Sequence, residues 1–178
     1  IDKEEVENTV YELILGEKEI TEVRCKDALE NLDVLPTNID LAAAEIELIG
    51  VEDKEFIIHD AVETIRDEYD FIIIDCPPSL GMLTINSLTA VDSVLIPIQC
   101  EYYALEGVSQ LMGTIKLVKS RLNPELDIQG VVLSMFDGRA NLSIQVVDEV
   151  KRYFRGSVYT TLIPRNVRLA EAPSHGKP

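Results

Sequence analysis

Cysteine, histidine and positive charge are scarce in this sequence, and each shortage excludes something. Its 178 residues hold three cysteines, Cys25, Cys76 and Cys100. The number is odd and no two stand at CxxC spacing, which argues against a disulfide framework or a zinc site of that type. They read as structural thiols in a reducing compartment. The two histidines, His59 and His175, have no His or Cys at ligand spacing and read as surface or loop residues. No apolar run approaches the ~20 residues of a membrane span. The opening Ile-Asp-Lys-Glu-Glu does not have the composition of a signal peptide. Internal repeats and low-complexity stretches are also missing. The acidic start without Met suggests a segment of a longer polypeptide.

Sixteen Lys and Arg face 32 Asp and Glu, a net charge of −16, which taken alone disfavours a polyanionic partner. The distribution is uneven. Residues 138–178 carry seven cations (Arg139, Lys151, Arg152, Arg155, Arg165, Arg168, Lys177) against Asp148, Glu149 and Glu171. That stretch is +4 and the remainder −20. An acidic body with a basic end can dock one face on nucleic acid, and the same charges also suit a solvated surface.

The hydrophobic fraction of 46% and the charged fraction of 27% fit one soluble globular domain over residues 1–178. Short apolar runs alternate with longer amphipathic ones. Strands are expected at Leu32–Pro36, Phe71–Asp75, Ser93–Pro97, Gly130–Met135 and Val158–Ile163. Helices are expected at about Leu41–Ile49, Lys54–Glu68, Gly81–Ala90, Leu105–Leu122 and Asn141–Phe154, the last with Asn141 as N-cap. Pro164–Pro178 reads as a closing loop. Ile72, Ile73 and Ile74 are β-branched and consecutive, the pattern of a strand buried on both faces. Strands alternating with helices imply an α/β fold with a mostly parallel sheet, in which ligands sit beyond the carboxyl ends of the strands. That rule singles out Asp75–Gly81, Pro97–Glu106, Met135–Asn141 and the residues from Pro164 onward.

Asp75 ends the most apolar strand. There a carboxylate can hold Mg²⁺, or a metal-bound water, against nucleotide phosphates, as in a Walker B segment. The same pattern also serves to cap a following helix, and on spacing alone both roles stay open. Tyr102 and Tyr103 read as core or interface aromatics.

Several segments, in order along the chain, are similar to those of ParA/Soj partition ATPases. They are Asn31-Leu32-Asp33-Val34-Leu35-Pro36, Ala44-Glu45-Ile46-Glu47-Leu48 and Asp75-Cys76-Pro77-Pro78-Ser79-Leu80-Gly81. Further on come Gln99–Gly107, Ile163–Leu169 and Glu171–Gly176. The resemblance runs essentially end to end. It implies a P-loop NTPase-like three-layer fold with a twisted, mostly parallel sheet. It also implies binding of ATP with Mg²⁺, a homodimer in the ATP state, non-specific DNA binding, and a ParB/Spo0J-type partner that stimulates hydrolysis. A cytoplasmic, nucleoid-associated protein without membrane attachment follows from the same likeness.

Residue by residue, the resemblance assigns Asp75 to the catalytic metal site and Pro77, Pro78, Ser79 and Gly81 to the adjoining switch. Met135, Pro164, Arg165 and Asn166 fall where relatives enclose the adenine, and Arg139 and Arg168 where relatives grip DNA phosphates. One departure is clear. The family's KGGxGKT loop and its DxDPQGN-like segment do not occur, and the one Gly-Lys pair is Gly176-Lys177, before Pro178. The resemblance therefore implies an internal stretch of such a protein, missing the loop that cradles phosphates and inactive in hydrolysis by itself. Two alternatives share the fold: a membrane-recruited division-site ATPase of the MinD type, and a natural non-enzymatic interaction module.

Overall fold

Residues 6–77, 79–101 and 104–175 are described by the computed structural model. Chain contacts divide them into two units. One is built on residues up to Val91 with Arg121–Asn123, the other on Asp92–Ser120 and the chain from Pro124 onward.

The first unit is mainly helical. Helix α1 (Val10–Ile14) opens with a capping box: the Glu12 carboxylate accepts from the Thr9 backbone N–H and hydroxyl, both at 2.7 Å, and the Thr9 hydroxyl accepts from the Tyr11 N–H. Helix α2 (Ile20–Val23) follows, then an antiparallel hairpin of β1 (Cys25–Leu29) and β2 (Leu32–Val34). Asn31 takes φ 60° in its turn, a left-handed conformation Asn tolerates. The expected Leu32–Pro36 strand is thus the second arm of a separate two-stranded sheet. Helix α3 (Leu41–Glu47) buries Ala44 and, just beyond its end, Leu48. These pack with Ile14, while Leu13, Ile20, Val23, Val62 and Ile65 form a second apolar cluster.

The continuous helix expected over Lys54–Glu68 is instead broken. A 3₁₀ turn at Lys54–Phe56 leads into α4 (Ile57–Glu63), and another 3₁₀ turn covers Arg66–Glu68. Asp53 sits at φ 52° before the first turn. After α4 the Thr64 hydroxyl donates to the Ala61 carbonyl at 2.7 Å, offering the backbone an alternative to the helical bond. Helix α5 (Met82–Ala90) is locked by Asn86, 1% exposed, whose amide donates to the carbonyls of Lys54 and Met82 and accepts from the Ile58 N–H. Asn123 Nδ2 satisfies the carbonyls of Leu88, Thr89 and Val91 at its far end.

Phe71–Asp75 is not the buried strand expected from its isoleucines. It is extended, but among the described residues no strand pairs with it. Ile72 packs on the first unit's core, while Phe71 and Ile73 are 86% and 90% exposed. A run of β-branched residues encodes extension and apolarity; burial on both faces needs neighbours on both sides.

The second unit is a parallel sheet in the order β3 (Ser93–Gln99), β4 (Asp127–Phe136), β5 (Val158–Pro164). Helix α6 (Ala104–Arg121) links β3 to β4 and α7 (Asn141–Phe154) links β4 to β5, the alternation that makes a parallel sheet. Ile96, Ile98, Val131 and Leu133 are buried in the sheet. On α7 the buried stripe is Ser143, Val146, Val147, Val150 and Phe154, the spacing of one helical face. The α/β class with a parallel sheet agrees with the sequence reading. Asn141 is not the N-cap of α7: extended Ala140 occupies the cap, without a side-chain bond, and Asn141 is the first helical residue. The terminal loop also contains structure, α8 (Val167–Glu171) and a 3₁₀ turn at Ala172–His175. Asn166 Oδ1 accepts from the Arg168 N–H at 2.9 Å and so starts α8, a capping role typical of Asn.

Candidate functional site

In the first unit a polar knot steers the chain toward Asp75. Arg24 Nη1 donates to Glu68 Oε2 at 2.6 Å and to the Tyr69 hydroxyl at 2.7 Å, and the Tyr69 hydroxyl donates to Asp33 Oδ2. Asp33 Oδ1 also takes the Asp27 N–H at 2.8 Å. The Tyr69 hydroxyl, and after it the Asp27 amide, hold the Asp33 carboxyl below its usual range. The knot fixes the hairpin against the turn at Arg66–Tyr69, and the extended segment leaves from there.

Asp75 stands exposed at the end of that segment, without a hydrogen bond or ion pair among the described residues. Cys76, Pro77 and Ser79 are exposed after it; Pro78 lies outside the described residues. The loop is held at its far end. Buried Thr84 donates its hydroxyl to the Ser79 carbonyl at 2.5 Å, and Gly81 occupies the N-cap of α5. Glu45 of α3 lies against Gly81, and its Oε1 accepts from the Leu83 N–H at 3.4 Å. Neither Thr84 nor Glu45 is assigned a role by the sequence reading. Glu45 falls within a family-like segment, and nothing local reveals its distant contact.

In the second unit the other candidates lie at and beyond the carboxyl ends of β4 and β5, with Met135 next to last in β4 and Pro164 closing β5. Met135 is half-buried with φ 54°, a left-handed conformation uncommon outside glycine, and the β4–β5 register shifts between Leu133 and Phe136. Phe136 pairs with Pro164, and the Arg165 N–H donates to the Phe136 carbonyl at 3.0 Å, so the Pro164–Asn166 turn is tied to the Met135 bulge. Asn166 spends its side-chain oxygen on capping α8.

The guanidinium of Arg139 is 92% exposed and is engaged by Asp137. Hydrogen bonds from Arg139 hold the Asp137 carboxyl below its usual range. Arg168 is exposed on α8. Tyr102 and Tyr103 lie outside the described residues, as do the side chain of His175 and residues 176–178.

Mg²⁺ commonly takes one or two protein carboxylates, with phosphates and water completing its shell. Asp75 fits one such ligand. Among the described residues there is no group of three or more His, Cys, Asp or Glu able to hold a metal unaided. No described helix is long and apolar enough to cross a membrane.

A family profile described as an AAA domain matches residues 1–128. The chain is 57% identical over all 178 residues to the sporulation initiation inhibitor protein Soj of Bacillus subtilis, spanning 70% of that protein. It is 53% identical, again over its full length, to the chromosome partitioning protein ParA of Myxococcus xanthus, spanning 63% of it. Among solved structures, cobyrinic acid a,c-diamide synthase of Mycobacterium smegmatis with a bound ATP analogue and magnesium superposes with a TM-score of 0.84. It is 33% identical over 99% of this chain and 77% of its own. That name describes a different chemistry on a shared P-loop ATPase fold, so family rests on the sequence relatives. By its identity to both, over its whole length, this chain belongs to the ParA/Soj family.

Proposed function

We propose that the protein of which these 178 residues are part is a ParA/Soj-type partition ATPase. It binds ATP with Mg²⁺, dimerises in that state, binds DNA without sequence preference, and answers to a ParB/Spo0J-type partner. The observation that carries the reading is Asp75: an exposed carboxylate without a partner among the described residues, at the end of an extended apolar segment. The loop that follows it is pinned at Ser79 and at the start of α5. The name of the Myxococcus xanthus relative, a chromosome partitioning protein, supports the partition role, and the ATP analogue and magnesium in the structural relative support the ligand.

In this reading Asp75 supplies a ligand to Mg²⁺, which when bound offsets negative charge on the phosphates. Pro77, Pro78, Ser79 and Gly81 form the segment that responds to the nucleotide. Met135, Pro164, Arg165 and Asn166 contribute to enclosing the adenine. The strained backbone at Met135 supports that assignment, because such conformations concentrate where a ligand is held. Exposed Arg139 and Arg168 contact DNA phosphates.

The test is Mg²⁺-dependent ATP turnover by the full-length protein, with and without Asp75→Ala. The variant is expected to fold and to lose about a hundredfold or more in kcat, the scale of removing one electrostatic stabiliser. Turnover of wild-type rate and metal dependence in Asp75→Ala would reduce Asp75 to a surface carboxylate.

A further inference from the structure

Gly81 has backbone angles of φ −85° and ψ −166°, which any residue adopts. The glycine is therefore not explained by conformational freedom. It is explained by proximity: a Cβ built on Gly81 would overlap the carboxylate of Glu45. That carboxylate lies at the N-terminal end of α5, where unpaired N–H groups and the positive end of the helix dipole favour an anion. Its Oε1 accepts from the Leu83 N–H at 3.4 Å. Gly81 has no side chain with which to cap α5, and Glu45 serves as the cap from a different helix.

The two helices so joined are both anchored. Ala44 and Leu48, on either side of Glu45, are 0% and 2% exposed. Asn86 fixes the rotation of α5, and Thr84 holds the Ser79 carbonyl. Within the loop after Asp75, Thr84 restrains the start of the Ser79–Gly81 stretch and Glu45 its end. Of the two, Glu45 alone comes from outside α5.

We propose that Glu45 is a positioning residue for the reaction, acting through Gly81 and the first turn of α5 to fix the loop that follows Asp75. The proposal rests on the ATPase reading given above and adds a residue to it. Glu45 touches no reacting atom. Its contribution is to hold the loop in one place, and small displacements of catalytic segments cost rate more than affinity. The carboxylate is also the far end of a flexible side chain. A methyl at position 81 would push it aside at little cost to the fold, so Gly81→Ala is a second route to the same loss.

The experiment is a double-mutant cycle in the full-length protein with Glu45→Ala, Gly81→Ala, the pair together, and Glu45→Gln. Readouts are kcat and KM for Mg-ATP, thermal melting, and amide hydrogen exchange over residues 79–83. Each single variant is expected to lose about tenfold in kcat, with KM changed by no more than about twofold and with cooperative melting retained. The double variant should be no worse than either single one, because both remove the same contact. Glu45→Gln, whose amide oxygen still accepts from Leu83, should recover most of the rate. Exchange at Leu83 should quicken in Glu45→Ala while that of residues 86–90 holds.

Unchanged kcat, losses that add in the double variant, or a rise in KM at constant kcat would overturn the proposal and leave the ATPase reading intact. A wild-type protein without ATP turnover would overturn that reading. Altered exchange at Leu83 would then mark Glu45 as a helix cap only, and the proposal would fall too.

Discussion

Arg139 holds Asp137 at two points, its Nε and Nη2 donating to Oδ1 and Oδ2 at 3.0 and 3.1 Å, while its own N–H also reaches Oδ1 at 3.0 Å. The proposed DNA contact therefore starts from a guanidinium already oriented by a carboxylate two residues away. Arg139→Ala and Arg168→Ala should each weaken DNA binding equally for all sequences and lower the salt slope of log affinity by about one unit. Asp137→Asn should act in the opposite direction. It frees Arg139 and removes a negative charge from the same face, so affinity should rise about two- to fivefold at low salt. Salt titrations of DNA binding by the full-length protein, with dimerisation followed in parallel, check all three. Unaltered affinity in the alanine variants would make both arginines merely solvated. Loss of binding together with loss of the dimer would move them to a subunit interface.

The capping box of α1 makes a prediction about acid stability. Thr9 is 4% exposed, and its hydroxyl and backbone N–H both donate to Glu12. Those bonds hold the Glu12 carboxyl below its ordinary value, the hydroxyl contributing most. A carboxyl with a lowered folded pKa stabilises above its unfolded pKa of about 4.3, and the effect fades as pH falls through the folded value. Thr9→Ala should therefore cost about 1 kcal/mol at pH 7. Glu12→Gln should be destabilising at pH 7, and the penalty should start to shrink below about pH 4.3 and disappear only once pH has fallen through the lowered folded value. Urea melts over a pH series from 7 into acid check this, and a Glu12→Gln penalty that does not shrink in acid would contradict it.

Met135 allows stability to be separated from function. Its left-handed backbone costs on the order of 1 kcal/mol or more in a non-glycine residue. Met135→Gly relieves that cost but gives up the half-buried side chain and adds freedom to the unfolded chain, about 0.5–1 kcal/mol. The melting temperature of the full-length protein should barely move. If Met135 encloses the adenine, KM for ATP should nevertheless rise several-fold. A melting loss without a change in KM would assign the residue to packing.

The second unit was largely legible in the sequence, because its signals are local and strong. Val146, Val147, Val150 and Phe154 recur at helical spacing, and α7 has the bounds that this spacing predicts. The strands β3, β4 and β5 lie where short β-branched runs put them, each longer by a residue or more than expected. In the first unit the local signal competes with tertiary contacts. The break after α4 depends on a hydroxyl turning back to the Ala61 carbonyl, and the hairpin on a polar knot joining Arg24, Asp33 and Tyr69. The motif at Asp75–Gly81 marks the loop. Only the fold reveals that a glutamate from another helix closes its far end.

Phe71 and Ile73 stand two residues apart on one face of an extended backbone, 86% and 90% exposed, with no strand paired to that backbone among the described residues. An apolar extended segment with open hydrogen-bonding groups is a template for pairing with other chains. The isolated 178-residue chain should therefore bind a hydrophobic dye and aggregate in a concentration-dependent way. Ile73→Thr keeps the β-branched shape and extended preference while lowering apolarity, so it should raise the soluble fraction without shifting far-ultraviolet dichroism. Phe71→Thr should do the same, and the two together should exceed either alone. Ile72 is the internal control. It packs on the core formed by Leu13, Ile20, Val23, Val62 and Ile65, so Ile72→Thr should lower solubility rather than raise it. Size-exclusion chromatography and dye binding of the four variants measure the effect. A monodisperse wild-type chain with a sharp melt, or equal solubility of Ile72→Thr and Ile73→Thr, would mean that the exposed face is not what drives association.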